Sequence, residues 1–297
     1  MKTKAIRNRK KTSVFNVVNV LIMFLLMFIT LYPMYYVVVA SFSDPLLLKS
    51  HTGPLTWVLG SPTLAGYKRT LSNKSLFVGF QNTMFYLIVG TTMQVVLTSM
   101  GAYVLTRKSF MIRKGVMKMI VFTMFFSGGL IPMFFVIRDT HVYNTIWVSS
   151  IPYAVSAFNL IIMKSFFESL PESLEEAAII DGANDFTVFA KIIMPLSKPV
   201  VAVMILYYGV GQWNSWFPAA MFTRDRVLYP LQMILREILI ENQSLTADSL
   251  TQVMEDSFSS ELVKYCTIVV STVPILVVYP FLQKYFEKGV MIGAVKG

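Results

Sequence analysis

Residues 176–195 read Glu176-Ala177-Ala178-Ile179-Ile180-Asp181-Gly182-Ala183-Asn184-Asp185-Phe186-Thr187-Val188-Phe189-Ala190-Lys191-Ile192-Ile193-Met194-Pro195. On either side lies a window without Asp, Glu, Lys or Arg, 140–163 before it and 199–223 after it. About 20 apolar residues cross a bilayer as helix, so a structured polar loop hangs here between two spans. Four further windows are equally free of charge: 12–43, 75–106, 119–137 and 265–283. Together they predict an all-α polytopic membrane protein with six transmembrane helices, its loop 164–198 lying between the fourth and fifth.

Composition agrees. The 297 residues are 55% hydrophobic and only 14% charged, against roughly 25% charged in a soluble domain, and mean hydropathy is +0.60. Lys and Arg gather at 2–11, 107–118, 164–198 and 284–296. All four segments fall inside if both termini are cytoplasmic, as the positive-inside rule requires. The net charge of +10 thus flanks spans, which suits anionic lipid headgroups and not a surface for nucleic acid. The first window is too long for a cleaved signal and no A-x-A site follows, so it reads as a retained anchor. Cys266 is the single cysteine; it excludes an internal disulfide and reads as a small buried apolar residue.

The chain divides into a basic cytoplasmic tail 1–13, a membrane domain 14–285 with external segments 44–76 and 221–263, and a cytoplasmic tail 286–297. The helices are expected near 14–40, 78–106, 119–137, 143–163, 199–220 and 263–281. Gly128, Gly129 and Pro132 predict a kink or break in the third, tolerable where neighbours satisfy the freed backbone. In the second external segment, Leu231 to Ile240 is charged only at Arg236 and Glu237 and is expected to lie against the outer interface.

The internal loop has the makings of a mechanical part. Ser169, Pro171 and Glu172 make a helix start, and the early acids Glu172, Glu175 and Glu176 suit the positive end of the helix dipole. Ala177 and Ala178 are small enough for close approach to another surface. Gly182 ends the helix in a turn with positive φ. Asn184 or Asp185 then caps a second helix with Phe186, Phe189, Ile192 and Ile193 as its apolar face. Pro195 stops that helix, and Lys198-Pro199 opens the fifth span.

This loop resembles the EAA loop of ABC importer permeases (EAA, three residues, G, nine residues, I-x-L-P). Met194 stands where the family usually has Leu, a volume-conserving swap. The likeness extends over nearly the whole chain to sugar-importer permeases of the maltose-importer type. Phe126 to Met133, Gly211 to Phe217 and Tyr229 to Gln232 look like the branch importing complex or uronate-containing oligosaccharides, such as aldouronate and alginate fragments. The resemblance implies a transmembrane subunit of an ATP-driven importer in the cytoplasmic (inner) membrane of a prokaryote, working by alternating access. Its implied partners are a second homologous permease, two ATP-binding cassette subunits, an extracytoplasmic solute-binding protein on the two external segments, and an oligosaccharide. It implies that Glu176, Ala177, Ala178, Asp181, Gly182, Ile192 and Pro195 couple to the ATPase, and that Gly293, Ala294, Val295, Lys296 and Gly297 reach toward it. No cofactor is then bound by this chain, and ATP with Mg2+ belongs to the partner subunits.

Gln212, Trp213, Asn214 and Trp216 combine rings for sugar C–H faces with amides for hydroxyls, and are candidates for a substrate path alongside Asn82 and Asn159. An interfacial aromatic belt and interhelical hydrogen bonds are the competing accounts. Gln94 is another polar residue at membrane depth. No G-x-x-x-x-G-K-[ST] is present, so the chain does not itself hold a nucleotide. No Asp, Glu, Lys or Arg lies inside the six windows, against an ion-coupled carrier. His51 and His141 are isolated, and no catalytic or metal constellation is seen. The alternative is a stand-alone secondary transporter or channel for a polar solute; a membrane-embedded enzyme is a more distant rival.

Overall fold

We describe a computed structural model of the chain over residues 14–244 and 261–277, together with Pro280. The basic tail 1–13 and the C-terminal tail 286–297, with Gly293 to Gly297, lie outside the described residues. Within them the protein is all-helical, without a strand. The helices are α1 (Val14–Phe42), α2 (Pro45–Ser50), α3 (Ala65–Leu71), α4 (Lys74–Thr106), α5 (Arg113–Phe125), α6 (Leu130–Asp139), α7 (Ala157–Phe167), α8 (Glu172–Ile180), α9 (Asp185–Leu196), α10 (Lys198–Trp213), α11 (Phe217–Phe222), α12 (Leu231–Ser244) and α13 (261–277).

Two compact units emerge, 1–70 with 247–269, and 71–246 with 270–297. In the first, the C-terminal end of α1 is held by its tyrosines. Tyr32 Oη accepts from the Leu55 amide at 2.8 Å, Tyr35 Oη donates to the Thr56 carbonyl at 2.6 Å, and Ser41 Oγ meets Tyr67 Oη at 2.7 Å. Cys266 is buried beside Leu262, Val39 and Ala40, as its apolar reading anticipated.

In the second unit α4 packs against α7 and α10, and α12 packs against the start of α4. Leu231 and Ile234 are buried with Leu76 and Trp213. Two apolar residues at the start of α12 therefore pack against protein, while Ile240 toward its end is 49% exposed.

Among the described residues only α1 and α4 are continuous helices long and apolar enough to cross a membrane; α9 and α10 together qualify as a bent pair, at 83°. Three of the other charge-free windows are interrupted. The window 119–137 breaks at 126–129, as Gly128 and Gly129 foretold. The window 199–223 breaks at 214–216, ahead of Pro218. The fourth span departs most from expectation, because 143–156 is turns and a short 3-10 segment, and helix begins only at Ala157. His141 and Asn144 have positive φ, 59° and 57°. Asn144 is pulled out of any helix by its partners: its Oδ1 accepts from the amides of Arg224 and Asp225 at 2.8 and 3.0 Å, and its own amide donates to the Phe222 carbonyl at 2.9 Å. Irregular backbone at membrane depth must be enclosed by protein or wet, and Val148, Ser149 and Ser150 are accordingly buried.

Candidate functional site

The internal loop folds as a helical hairpin, α8 and α9. Pro171 occupies the cap of α8 without a side-chain bond, while Ser169 Oγ donates back to the Phe166 carbonyl at 2.6 Å. Ser169 is thus spent on the preceding turn and does not cap α8 as expected. The far end follows the sequence closely. Gly182 has φ +84°, its amide donates to the Ile179 carbonyl at 3.0 Å, and the Ala183 amide to the Ala178 carbonyl at 2.9 Å. That pair of bonds is the Schellman closure, which needs a left-handed residue where Gly182 stands. Asn184 then caps α9, its Oδ1 accepting from the Thr187 amide at 2.8 Å.

The expected stop at Pro195 falls early. Pro195 has no N–H and its ring crowds the carbonyl four residues back. The backbone widens into a π-turn over Phe189–Ile193, and α9 continues to Leu196. The chain turns at Ser197, and Pro199 sits in the first turn of α10, where its missing N–H costs nothing.

The hairpin is anchored on one face and bare on the other. Ala178, Val188 and Ile193 are buried in a cluster with Ala102, Tyr103, Met163, Phe167 and Val203. The two alanines therefore divide: Ala178 packs inward, and Ala177 is exposed beside Glu176, Asp181 and Gly182. Ile192 is half-buried and Pro195 exposed. Phe186 leaves the apolar face foreseen for α9 and stands 69% exposed, and Ile180 is 85% exposed. An apolar side chain so placed on a polar loop is the signal that sequence reading passed over.

A second tether was also missed. Arg107, at the end of α4, makes a bidentate ion pair with Glu175, both side chains largely buried at 19% and 18% exposure. The guanidinium lies 4.2 Å from the Tyr103 ring centre, and Tyr103 Oη donates to the Asp185 carbonyl at 3.2 Å. Burial works against the Arg107 charge, but its hydrogen bonds to Glu175 outweigh that and leave its pKa above the usual value. Lys108 Nζ reaches Glu172 at 2.8 Å and, chiefly by that hydrogen bond, holds its carboxyl below the ordinary range. The basic corner 107–108 opposite acids at 172 and 175 was the available clue.

The candidate path residues scatter. Trp213 is buried against Leu76, Leu231 and Ile234. Asn82 Nδ2 donates to the carbonyls of Val227 and Tyr229 at 2.6 and 3.0 Å, and Asn214 Nδ2 to its own helix at 2.9 Å. Trp216 carries the Arg236 guanidinium 3.6 Å from its ring centre. Gln212 and Asn159 do converge, on a pocket of about 340 Å³ that Gln94, Ser149, Tyr153 and Tyr208 also line. Gln94 donates to the Tyr153 carbonyl at 2.9 Å and Gln212 to the Ser149 carbonyl at 3.2 Å. Gly90 permits this approach: a Cβ there would stand 2.7 Å from Ser150 Oγ and 3.1 Å from Gln212 Nε2.

The hairpin is thus anchored on the bundle through Ala178, Val188 and Ile193, with Ile180 and Phe186 uncovered at its tip. Residues 95–291 match the model of the binding-protein-dependent transport system inner membrane component. The chain belongs to that family. It is a permease subunit of an ABC transport system, a non-catalytic membrane component of a multisubunit complex with ATPase and binding-protein partners, in a prokaryotic membrane. It is 39% identical to the protein LplC of Bacillus subtilis, over 98% of this chain and 97% of that one. It is 38% identical to the polygalacturonan/rhamnogalacturonan transport system permease protein YtcP of the same organism, over 92% and 96%. Among solved structures, that of a bacterial ABC transporter involved in the import of the acidic polysaccharide alginate holds a chain with TM-score 0.84 and 30% identity, covering 96% of this permease and 100% of that chain.

Proposed function

We propose that this permease imports acidic oligosaccharides, released from uronate-rich polysaccharides, by alternating access driven from separate ATPase subunits. The cargo class is supported by the relatives, one described by polygalacturonan and rhamnogalacturonan and one by alginate. The observation that carries the coupling is the hairpin α8–α9, with Ile180 and Phe186 exposed at its tip while Ala178, Val188 and Ile193 fix it to the bundle. Exposed apolar side chains on a polar loop mark a contact surface. Glu176, Ala177, Asp181 and Gly182 form the rest of that surface, and Ala178, Ile192 and Pro195 brace it from behind.

Six spans with both termini cytoplasmic remain the topology, three of them broken. Domain limits are 1–13, 14–285 and 286–297, and the tail residues Gly293 to Gly297 reach toward the ATPases, which hold ATP and Mg2+. The segments 44–76 and 221–263 meet the solute-binding protein. A second permease covers the break at 126–129, where Phe125 and Phe126 are 77% and 63% exposed and bare backbone could not face lipid.

Detergent extraction followed by cross-linking from a cysteine at Ala177 tests the coupling. Capture of an ATPase is expected. Membranes that import cargo yet never yield that cross-link would refute it.

A further inference from the structure

Three oxygens at the pocket between α4, α10 and the turns before α7 have no hydrogen-bond partner: Gln94 Oε1, Gln212 Oε1 and Ser149 Oγ. Their residues are 4%, 4% and 2% exposed. Buried acceptors are nearly always paired, and each orphan weakens the fold. Here the amide nitrogens of Gln94 and Gln212 are used to fix the side chains on the Tyr153 and Ser149 carbonyls, and the oxygens are left over. Tyr208 Oη is consumed by Thr98 Oγ1 at 2.6 Å and the Ser156 amide at 3.0 Å. Tyr153 remains 38% exposed, its ring open at the margin. No Asp, Glu, Lys, Arg or His lines the pocket, and its volume of about 340 Å³ lies in the range of small-molecule sites.

We propose that this pocket recognises the hydroxyl-bearing, uncharged face of one sugar unit of the cargo, its orphaned oxygens accepting the sugar's O–H groups. The inference rests on the importer reading and adds a division of labour. A carboxylate entering an uncharged buried pocket loses its hydration without compensation, so the acid group of a uronate is held outside this pocket.

The test is equilibrium binding to the full chain in nanodiscs, with whatever partner subunits come with it and no nucleotide or solute-binding protein. The probes are α-1,4-linked trigalacturonate and its carboxyl-reduced counterpart. Both are expected to bind with equal affinity. Gln212→Leu and Gln94→Leu should each weaken both about fivefold to tenfold. Ser149→Ala, which removes an oxygen without a protein partner, should weaken both about threefold while leaving the fold intact. The proposal is overturned if neither trisaccharide binds, if only the acid binds, if the variants bind like the wild type, or if a structure solved with the sugars holds ordered water alone in the pocket. Whether an ATPase copurifies is scored separately, so failure of the importer reading and failure of the pocket are distinct results.

Discussion

Breaking the Arg107–Glu175 pair should uncouple ATP hydrolysis from uptake. The hairpin is joined to α10 through the chain, but to α4 and the corner after it through side chains: this ion pair, the exposed Lys108–Glu172 pair, the Tyr103 hydrogen bond to Asp185, and the buried contacts of Ala178 and Val188. A push on α8 therefore reaches two spans together, and the Arg107–Glu175 pair is the buried charged part of the second link. Hydrogen bonds to charged groups contribute about 1.5–3 kcal/mol, and bidentate geometry adds specificity. At 19% and 18% exposure neither group regains full hydration when its mate is removed. Arg107→Ala or Glu175→Gln should then shift the balance between a seated and a displaced hairpin by roughly 10- to 150-fold. The assay is transport per ATP hydrolysed in proteoliposomes bearing the whole complex. We expect the ratio to fall while ATPase subunits still copurify. The reversed pair, Arg107→Glu with Glu175→Arg, should recover part of it, a result that lost packing alone would not give. Unchanged ratios in both single variants, at equal protein level, would refute the argument.

Three other outcomes follow from the geometry. Gly182→Val should abolish ATP-driven uptake with insertion intact, because a β-branched residue resists φ +84°. Gly182→Asn should be milder, since nothing lies within 4 Å of a Cβ there and the defect is conformational; uptake and membrane yield distinguish the two. Ile180→Asp or Phe186→Asp should leave the melting temperature of the isolated chain nearly unchanged, surface substitutions costing within about 0.5 kcal/mol, while ATPase recovery in a pull-down is lost. Gly66→Ala should destabilise by about 1–3 kcal/mol through overpacking, since a Cβ would stand 2.6 Å from Cys266 Sγ and 2.7 Å from Leu262 Cγ; thermal unfolding in detergent measures it.

The sequence by itself determined the features that depend on local chemistry. Charge-free windows declared a membrane protein, and two glycines marked the break at 126–129. The hairpin's turn at Gly182 and a cap at Asn184 or Asp185 were legible because each is set by one residue and its immediate neighbours; the structure selects Asn184. What the tertiary structure alone decided involves partners far apart in the chain. The window 140–163 has the composition of a span, yet Asn144 spends its amide on residues 222–225 and the helix waits until Ala157. Arg107 and Glu175 are 68 positions apart, and no periodicity announces their pairing. Trp213 and Gln212 are adjacent in sequence, but helical geometry turns the first into a packed core and the second onto a pocket. Composition reports how polar a residue is; which neighbour consumes that polarity is settled only when distant segments meet.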